Sequence, residues 1–314
     1  MKNTLSLNEL SKDSAGIAGG KGASLGEMIC AGIPVPHGFV VSSGVFESFI
    51  DETGILEDID SVLHSVNLKS VNSVDRASEK IRSIILSEEI PAGIKKEISS
   101  QFKKLGAKFV AVRSSATSED SSTAAWAGQL DTFLNTTSNS LFDNIKKCWA
   151  SLFTPRAIFY RFEKNLHDKE ISVAVVVQKM IDSDVSGVAF SVHPVTQNKN
   201  QLIIEASYGL GESIVSGQIT PDSFVVEKNS FFVLNRNIST KSRELFKSKI
   251  GGVIWKNITK DRQNLPSLSD TEVLELSKLI VKIENHYGFP CDIEWALSKG
   301  KFYILQSRPI TTLN

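Results

Sequence analysis

The chain has 314 residues and balances 35 lysines and arginines against 35 aspartates and glutamates. No charge excess recruits nucleic acid or an anionic membrane, and the length suffices for two or three parts with cores of their own. Cys30, Cys148 and Cys291 lie far apart without a CxxC spacing, which argues against a disulfide framework or a zinc site and fits a reducing cytosol. The opening MKNTLSLNELSK lacks the apolar stretch of a secretory leader. The longest apolar run, Val173 to Val177, is far too short to span a bilayer and reads as a buried strand. The expectation is a cytoplasmic, mixed α/β protein.

In chain order, Gly19-Gly-Lys-Gly-Ala-Ser-Leu-Gly26 reads as a glycine loop followed by a short helix, with Pro34 and Pro36 as breakers and a strand over 38–42. Glycines let backbone amides approach an anion, the helix presents its positive end, and Lys21 adds a point charge. The spacing is neither that of a Walker loop nor that of a Rossmann turn. Helical periodicity dominates residues 45–105: Ala77 to Leu86 is amphipathic, and Pro91 stands where a helix starts.

A strand over 108–112 then runs into a polar loop, Arg113-Ser-Ser-Ala-Thr-Ser-Glu-Asp120. There a guanidinium fork and several hydroxyls suit a triphosphate, or else a capped, solvated turn. Downstream, Gly128 and Thr132 stand where a flap could close over phosphates, and Trp126 reads as a packing residue. Helices follow from about Leu141 to Lys164, interrupted by Pro155.

From Ile171 the texture becomes strand-rich, with strands expected at 171–180, 185–191, 201–206 and 223–234. Gln178, Met180 and Ile181 end the first of these, where a strand edge could hydrogen-bond an adenine ring. Glu205 precedes a second glycine loop, 206–213; it could meet a cation or a ribose, or be a satisfied strand-end acid. His193 reads as a turn residue, and no Ser/His/Asp or Cys/His pairing is suggested. Residues 235–267 read as loops and a mobile segment. Ser269 with Glu272 forms a capping box and Leu268 with Val273 a staple, starting a helix that runs to about Tyr287, with Gly288 as C-cap.

The last stretch, Cys291 to Thr311, reads as a hairpin. With a register symmetric about Gly300, Glu294 lies opposite Gln306 and Asp292 opposite Arg308 on one face. Ile293, Trp295 and Leu297 then occupy the other face, with Tyr303, Leu305 and Ser307. This gives oxygen ligands for a hard cation beside an arginine that forks onto phosphate. A register slipped by one residue would split the two sets, and an edge hairpin with solvated polar residues is the alternative.

Five ordered blocks resemble the N-terminal ATP-binding region of the dikinases: phosphoenolpyruvate synthase, pyruvate phosphate dikinase and rifampin phosphotransferase. They are GGKGASLGEM with PVPHGF, then VRSSATSEDSSTAAWAGQLDTFLN, SGVAFSVHPVT, EASYGLGESIVSGQITPDSF and DIEWALSKGKFYILQSRPIT.

The resemblance implies an ATP-grasp-like fold: one lobe over 1–180 carrying phosphate-binding loops, another over 181–314 carrying the hairpin, and nucleotide between them. It implies that Lys21 and Arg113 bind ATP phosphates and that Glu294 and Gln306 bind Mg²⁺. Arg308 would support the transferred phosphate, Gly128 and Thr132 would lie in the flap, and Gln178, Met180 and Ile181 would hold adenine. The implied activity passes the β-phosphoryl of ATP to a histidine on a separate domain, in cis or in trans, leaving AMP and phosphate. No phosphohistidine domain or acceptor domain is found in this sequence. The alternative is a non-catalytic nucleotide-binding regulatory or scaffold subunit.

Overall fold

The computed structural model describes residues 2–117, 120–121, 124–125, 131–163, 172–311 and 313. Two compact units emerge: Met1–Gly26 with His37–Met180, and Glu27–Pro36 with Ile181–Asn314.

The first unit holds β1 (Thr4–Ser6), α1 (Ala15–Cys30, to Gly26), β2 (Gly38–Val41), α2 (Ser43–Thr53), α3 (Leu56–His64), α4 (Val71–Ser87) and α5 (Ala92–Leu105). It continues with β3 (Val110–Ala116), β4 (Asp120–Ser121), β5 (Ala124–Ala125), β6 (Thr132–Thr136), α6 (Leu141–Ala150), α7 (Pro155–Glu163) and β7 (Val173–Lys179). Pro91 stands at the start of α5 as read, in the N-cap position, and Gly54 and Gly106, which the sequence reading did not single out, close α2 and α5 in the left-handed conformation. Lys146 of α6 donates to Leu86 O and Glu88 O at the end of α4, where the last carbonyls lack helical partners.

The main sheet of this unit runs β1-β2-β7-β3-β6, every pair antiparallel. Alternation divides its faces. Phe39, Val41, Val110, Val112, Val175 and Val177 face the helical core, where Trp149 lies on Phe46 and Phe49. Val40, Arg113, Ser115, Val176 and Gln178 fall on the opposite face, where the glycine segment of α1 sits: a Cβ on Gly22 would stand 3.1 Å from Val40 and 3.7 Å from Val176.

The second unit holds β8 (Val185–Phe190), β9 (Gln201–Tyr208), α8 (Glu212–Val215), β10 (Asp222–Glu227), β11 (Phe232–Asn237), β12 (Arg243–Lys247), β13 (Val253–Asn257), α9 (Asp270–Tyr287), β14 (Cys291–Ser298) and β15 (Lys301–Pro309). Its main sheet is ordered β11-β10-β9-β8-β14-β15, again antiparallel. Ala189, Ile204, Phe224, Ile293 and Trp295 are wholly buried on one face, and α9 packs on β9 and β14. The Ser269–Glu272 capping box and the Gly288 cap bound α9 as the sequence indicates.

Several expectations change. The stretch after Val112 is strand through Ala116, not a loop. The 223–234 strand is a hairpin of β10 and β11. Within 235–267, β12 and β13 pair as a second hairpin. That excursion is pinned by a buried ion pair, Lys241 Nζ to Asp222 Oδ1 at 2.5 Å, both side chains fully buried. Asp222 also accepts from Ser239 N, Ser267 N and Ser267 Oγ, so its carboxylate is satisfied rather than stranded.

Candidate functional site

In the first unit the glycine segment is not a loop before a helix. It lies inside α1, which breaks at Gly19 (φ 68°, ψ 167°) and restarts as a helix. This backbone region is open only to glycine, and a Cβ on Gly19 would lie 2.2 Å from Ser115 O and Oγ. Lys21, in the restarted first turn, is half-buried, and its Nζ donates to Ser114 O at 3.0 Å.

Arg113 is buried at the middle of β3, paired with Val176 on one side and with Thr132, the exposed first residue of β6, on the other. The structure therefore makes cross-strand neighbours of two predicted phosphate residues, and Thr132 belongs to a strand rather than a flap. Gly128 and Trp126 lie outside the described residues.

Of the hydroxyls expected to face a ligand, Ser118 lies outside the described residues, and the other three are committed elsewhere. Ser114 Oγ donates to Asp131 O, Ser115 Oγ to Ala18 O, and Thr117 Oγ1 to Ser172 O. A polar stretch becomes a buried strand because the protein itself satisfies these groups.

The expected adenine edge is also revised. β7 lies between β2 and β3 and is no edge strand. Gln178 is buried, while Lys179 N–H donates to His37 O and Met180 N–H to Phe109 O. Beyond these, Ile181 N–H and Met180 C=O take no backbone partner among the described residues.

In the second unit one face of the sheet carries a row with polar side chains on three of its four strands. Glu205 on β9 pairs with Val188 on β8, Val188 with Glu294 on β14, and Glu294 with Gln306 on β15. One step along, Ile203, Phe190, Asp292 and Arg308 form the parallel row. Both cross-strand pairs of the symmetric hairpin register are present.

Arg308 Nε and Nη2 each lie 2.8 Å from Asp292 Oδ2. A bulge after Glu294 skips Leu305, so Trp295 pairs with Ile304 and Tyr303 with Ala296. Tyr303 therefore sits on the face of Glu294, contrary to simple alternation. Backbone approach in this sheet is close: a Cβ on Gly187 would lie 1.8 Å from Glu205 O.

Electrostatics single out the same face. Burial pushes the Asp292 carboxyl above its ordinary value; the Arg308 guanidinium opposes that shift, and Glu294 adds to it. Burial, then the Asp292 charge, pushes Glu205 up. Both acids lose water and repel a neighbour, the setting in which a cation or a guanidinium is most effective.

Among the described residues no three of His, Cys, Asp and Glu cluster closely enough to form a metal site by themselves. The oxygen donors of Glu294 and Gln306 fit Mg²⁺, which keeps several waters and takes its remaining oxygens from phosphate. His193 is a turn residue as read: its Nδ1 accepts from Val195 N and Thr196 N. Among the described residues no helix is long and apolar enough to cross a membrane.

The chain belongs to the family of the pyruvate phosphate dikinase AMP/ATP-binding domain, whose model matches residues 15–314. This is an ATP-grasp-like domain. A protein of Archaeoglobus fulgidus named probable phosphoenolpyruvate synthase is 45% identical over 313 residues, covering 98% of this chain and 41% of its own. Another of that name, from Methanocaldococcus jannaschii, is 42% identical over 320 residues, covering 100% of this chain and 27% of its own. The rifampicin phosphotransferase of Bacillus subtilis is 38% identical over 312 residues, covering 98% of this chain and 36% of its own. The chain thus spans well under half the length of these relatives.

Proposed function

We propose that the chain is the phosphoryl-donor module of a dikinase-type phosphotransferase acting in the cytoplasm. It binds ATP with Mg²⁺ and passes the β-phosphoryl to a histidine of a further domain, in cis or in trans. The bond between the β-phosphorus and the α,β-bridging oxygen breaks, a phosphorus–nitrogen bond forms, AMP leaves, and water takes the γ-phosphoryl as phosphate. Lys21, Arg113 and Thr132 serve the phosphates, and Glu294 and Gln306 hold the metal. Arg308 meets the transferred group, and Glu205 lies beside the nucleotide. Gln178, Met180 and Ile181 hold adenine, through Met180 C=O and Ile181 N–H.

The observation that carries this reading is the polar row itself: Glu294 opposite Gln306, one step from an arginine held by Asp292. When bound, the metal neutralises charge developing on the phosphates. The residues of this chain do the rest by positioning: Asp292 orients the guanidinium, and Glu294 and Gln306 present oxygens from fixed strands. Catalysis of this kind rests on placement and charge rather than on a protein nucleophile.

The test supplies Mg²⁺, ATP and the phosphohistidine domain of a relative in trans and follows AMP. Its formation, lost with Arg308→Ala, is the expected result. Intact ATP binding without AMP would favour a non-catalytic regulatory or scaffold module.

A further inference from the structure

The kink at Gly19 is held by one side chain that the phosphate reading does not use. Ser115 is fully buried. Its Oγ donates to Ala18 O at 2.9 Å on one side of the kink and accepts from Gly22 N–H at 3.2 Å on the other. The helix restarts after Gly19, so Gly22 N–H is one of the first-turn amides that have no partner within the helix. An N-cap residue normally supplies that acceptor from its own side chain. Gly19 has none, and the space a side chain would need is filled by Ser115 itself, 2.2 Å from an ideal Cβ. Ser115 thus caps the restarted helix from another element.

Only a group that donates and accepts in this volume can join Ala18 O to Gly22 N–H, and a small hydroxyl does both. Its effect reaches further because of where Ser115 sits. Arg113 lies two residues earlier on the same strand, and alternation places both on one face. Lys21 is the residue before Gly22, and its Nζ is tied to Ser114 O, the residue between Arg113 and Ser115. One hydroxyl therefore fixes the turn carrying Lys21 against the strand carrying Arg113.

We propose that Ser115 is a positioning residue for phosphate recognition, setting the register between Lys21 and Arg113. The proposal rests on the reading of those two residues as phosphate ligands.

The experiment titrates the full chain calorimetrically with Mg–ATP and, separately, with adenosine, which has no phosphate. Wild type and Ser115→Ala are compared, with folding checked by circular dichroism. Ser115→Cys keeps a small side chain with a far weaker donor and acceptor and serves if the alanine variant fails to fold. The expected result is an Mg–ATP affinity about tenfold weaker in Ser115→Ala, with a smaller loss in Ser115→Cys and adenosine affinity unchanged. Unchanged Mg–ATP affinity in a folded variant would overturn the proposal. So would an equal loss for adenosine, because a purely structural role weakens both ligands alike. Failure of the wild type to bind Mg–ATP would overturn the phosphate reading itself, and with it this proposal.

Discussion

Asp292 Oδ2 accepts a hydrogen bond from Arg308 Nε at 2.8 Å and stands 2.8 Å from Nη2 as its ion-pair partner. Both contacts meet on one carboxylate oxygen and orient the guanidinium. Replacing Asp292 with asparagine removes the charge while keeping the shape. AMP formation with a phosphohistidine domain should fall about 10- to 100-fold, with Mg–ATP affinity changed less, because the arginine is displaced and not deleted. Equal losses in binding and turnover, measured by titration and AMP release, would mean that Asp292 acts on the bound nucleotide directly.

Gly187 has no room for a side chain: a Cβ would stand 1.8 Å from Glu205 O and 2.9 Å from Trp295. Gly187→Ala should prise β8 from β9 and cost on the order of 3 kcal/mol, the upper range for overpacking. Urea denaturation measures this, and a loss near zero would mean that β9 moves freely.

The fully buried Lys241–Asp222 pair fastens the β12–β13 excursion to β10. Lys241→Met leaves the Asp222 carboxylate buried without its cation and should cost about 3–5 kcal/mol. Limited proteolysis should then cut first within 239–267. Cleavage elsewhere would show that the excursion is held by other contacts.

Asp131 gives a pH signature. Burial raises its pKa above 3.8, against a smaller opposing effect of Arg82. The folded state then binds the proton more readily than the unfolded chain. The stability tied to this group is present below the ordinary aspartate range and is lost as pH rises through the raised value. Asp131→Asn should therefore gain more relative to wild type at pH 7 than at pH 4, measured by urea unfolding. The opposite trend would mean that the carboxylate is stabilised in its charged form.

Cys30 is exposed, whereas Cys148 and Cys291 are buried, and burial pushes both buried thiols up, Cys291 to about 12. Since the thiolate is the reactive form, one thiol should react rapidly with a thiol reagent at pH 8 and the other two only on unfolding. Fast release of three equivalents would contradict the described cores around Cys148 and Cys291.

The pairs Glu294–Gln306 and Asp292–Arg308 match the register read about Gly300, but the turn closes Ser298 on Lys301, with Lys299 and Gly300 both left-handed, and only the bulge after Glu294 brings those two pairs into line. The sequence exposed α9 because the capping box and Gly288 are local signals. What escaped depends on distant partners. Arg113, Ser114 and Ser115 look like a solvated loop until Asp131 O and Ala18 O absorb the two hydroxyls. β11 and β13 are largely exposed and β12 is mostly half-buried, so none shows clean apolar alternation, and the Lys241–Asp222 pair, invisible locally, holds the excursion in place. Tyr303 changed face through a bulge that no residue type announces. The candidate ligands were legible as chemistry, while their support, Asp292 on Arg308 aside, was not.

The most direct test of the account is the thermal stability of the full chain with and without Mg–ATP, for wild type, Arg113→Ala and Glu294→Ala. At a hundredfold excess over Kd, Mg–ATP should add about 2.7 kcal/mol of stability to the wild type and raise its Tm. Both variants should lose most of that gain while keeping a folded baseline. A wild type whose Tm does not move with any nucleotide, or variants that respond as fully as the wild type, would contradict it.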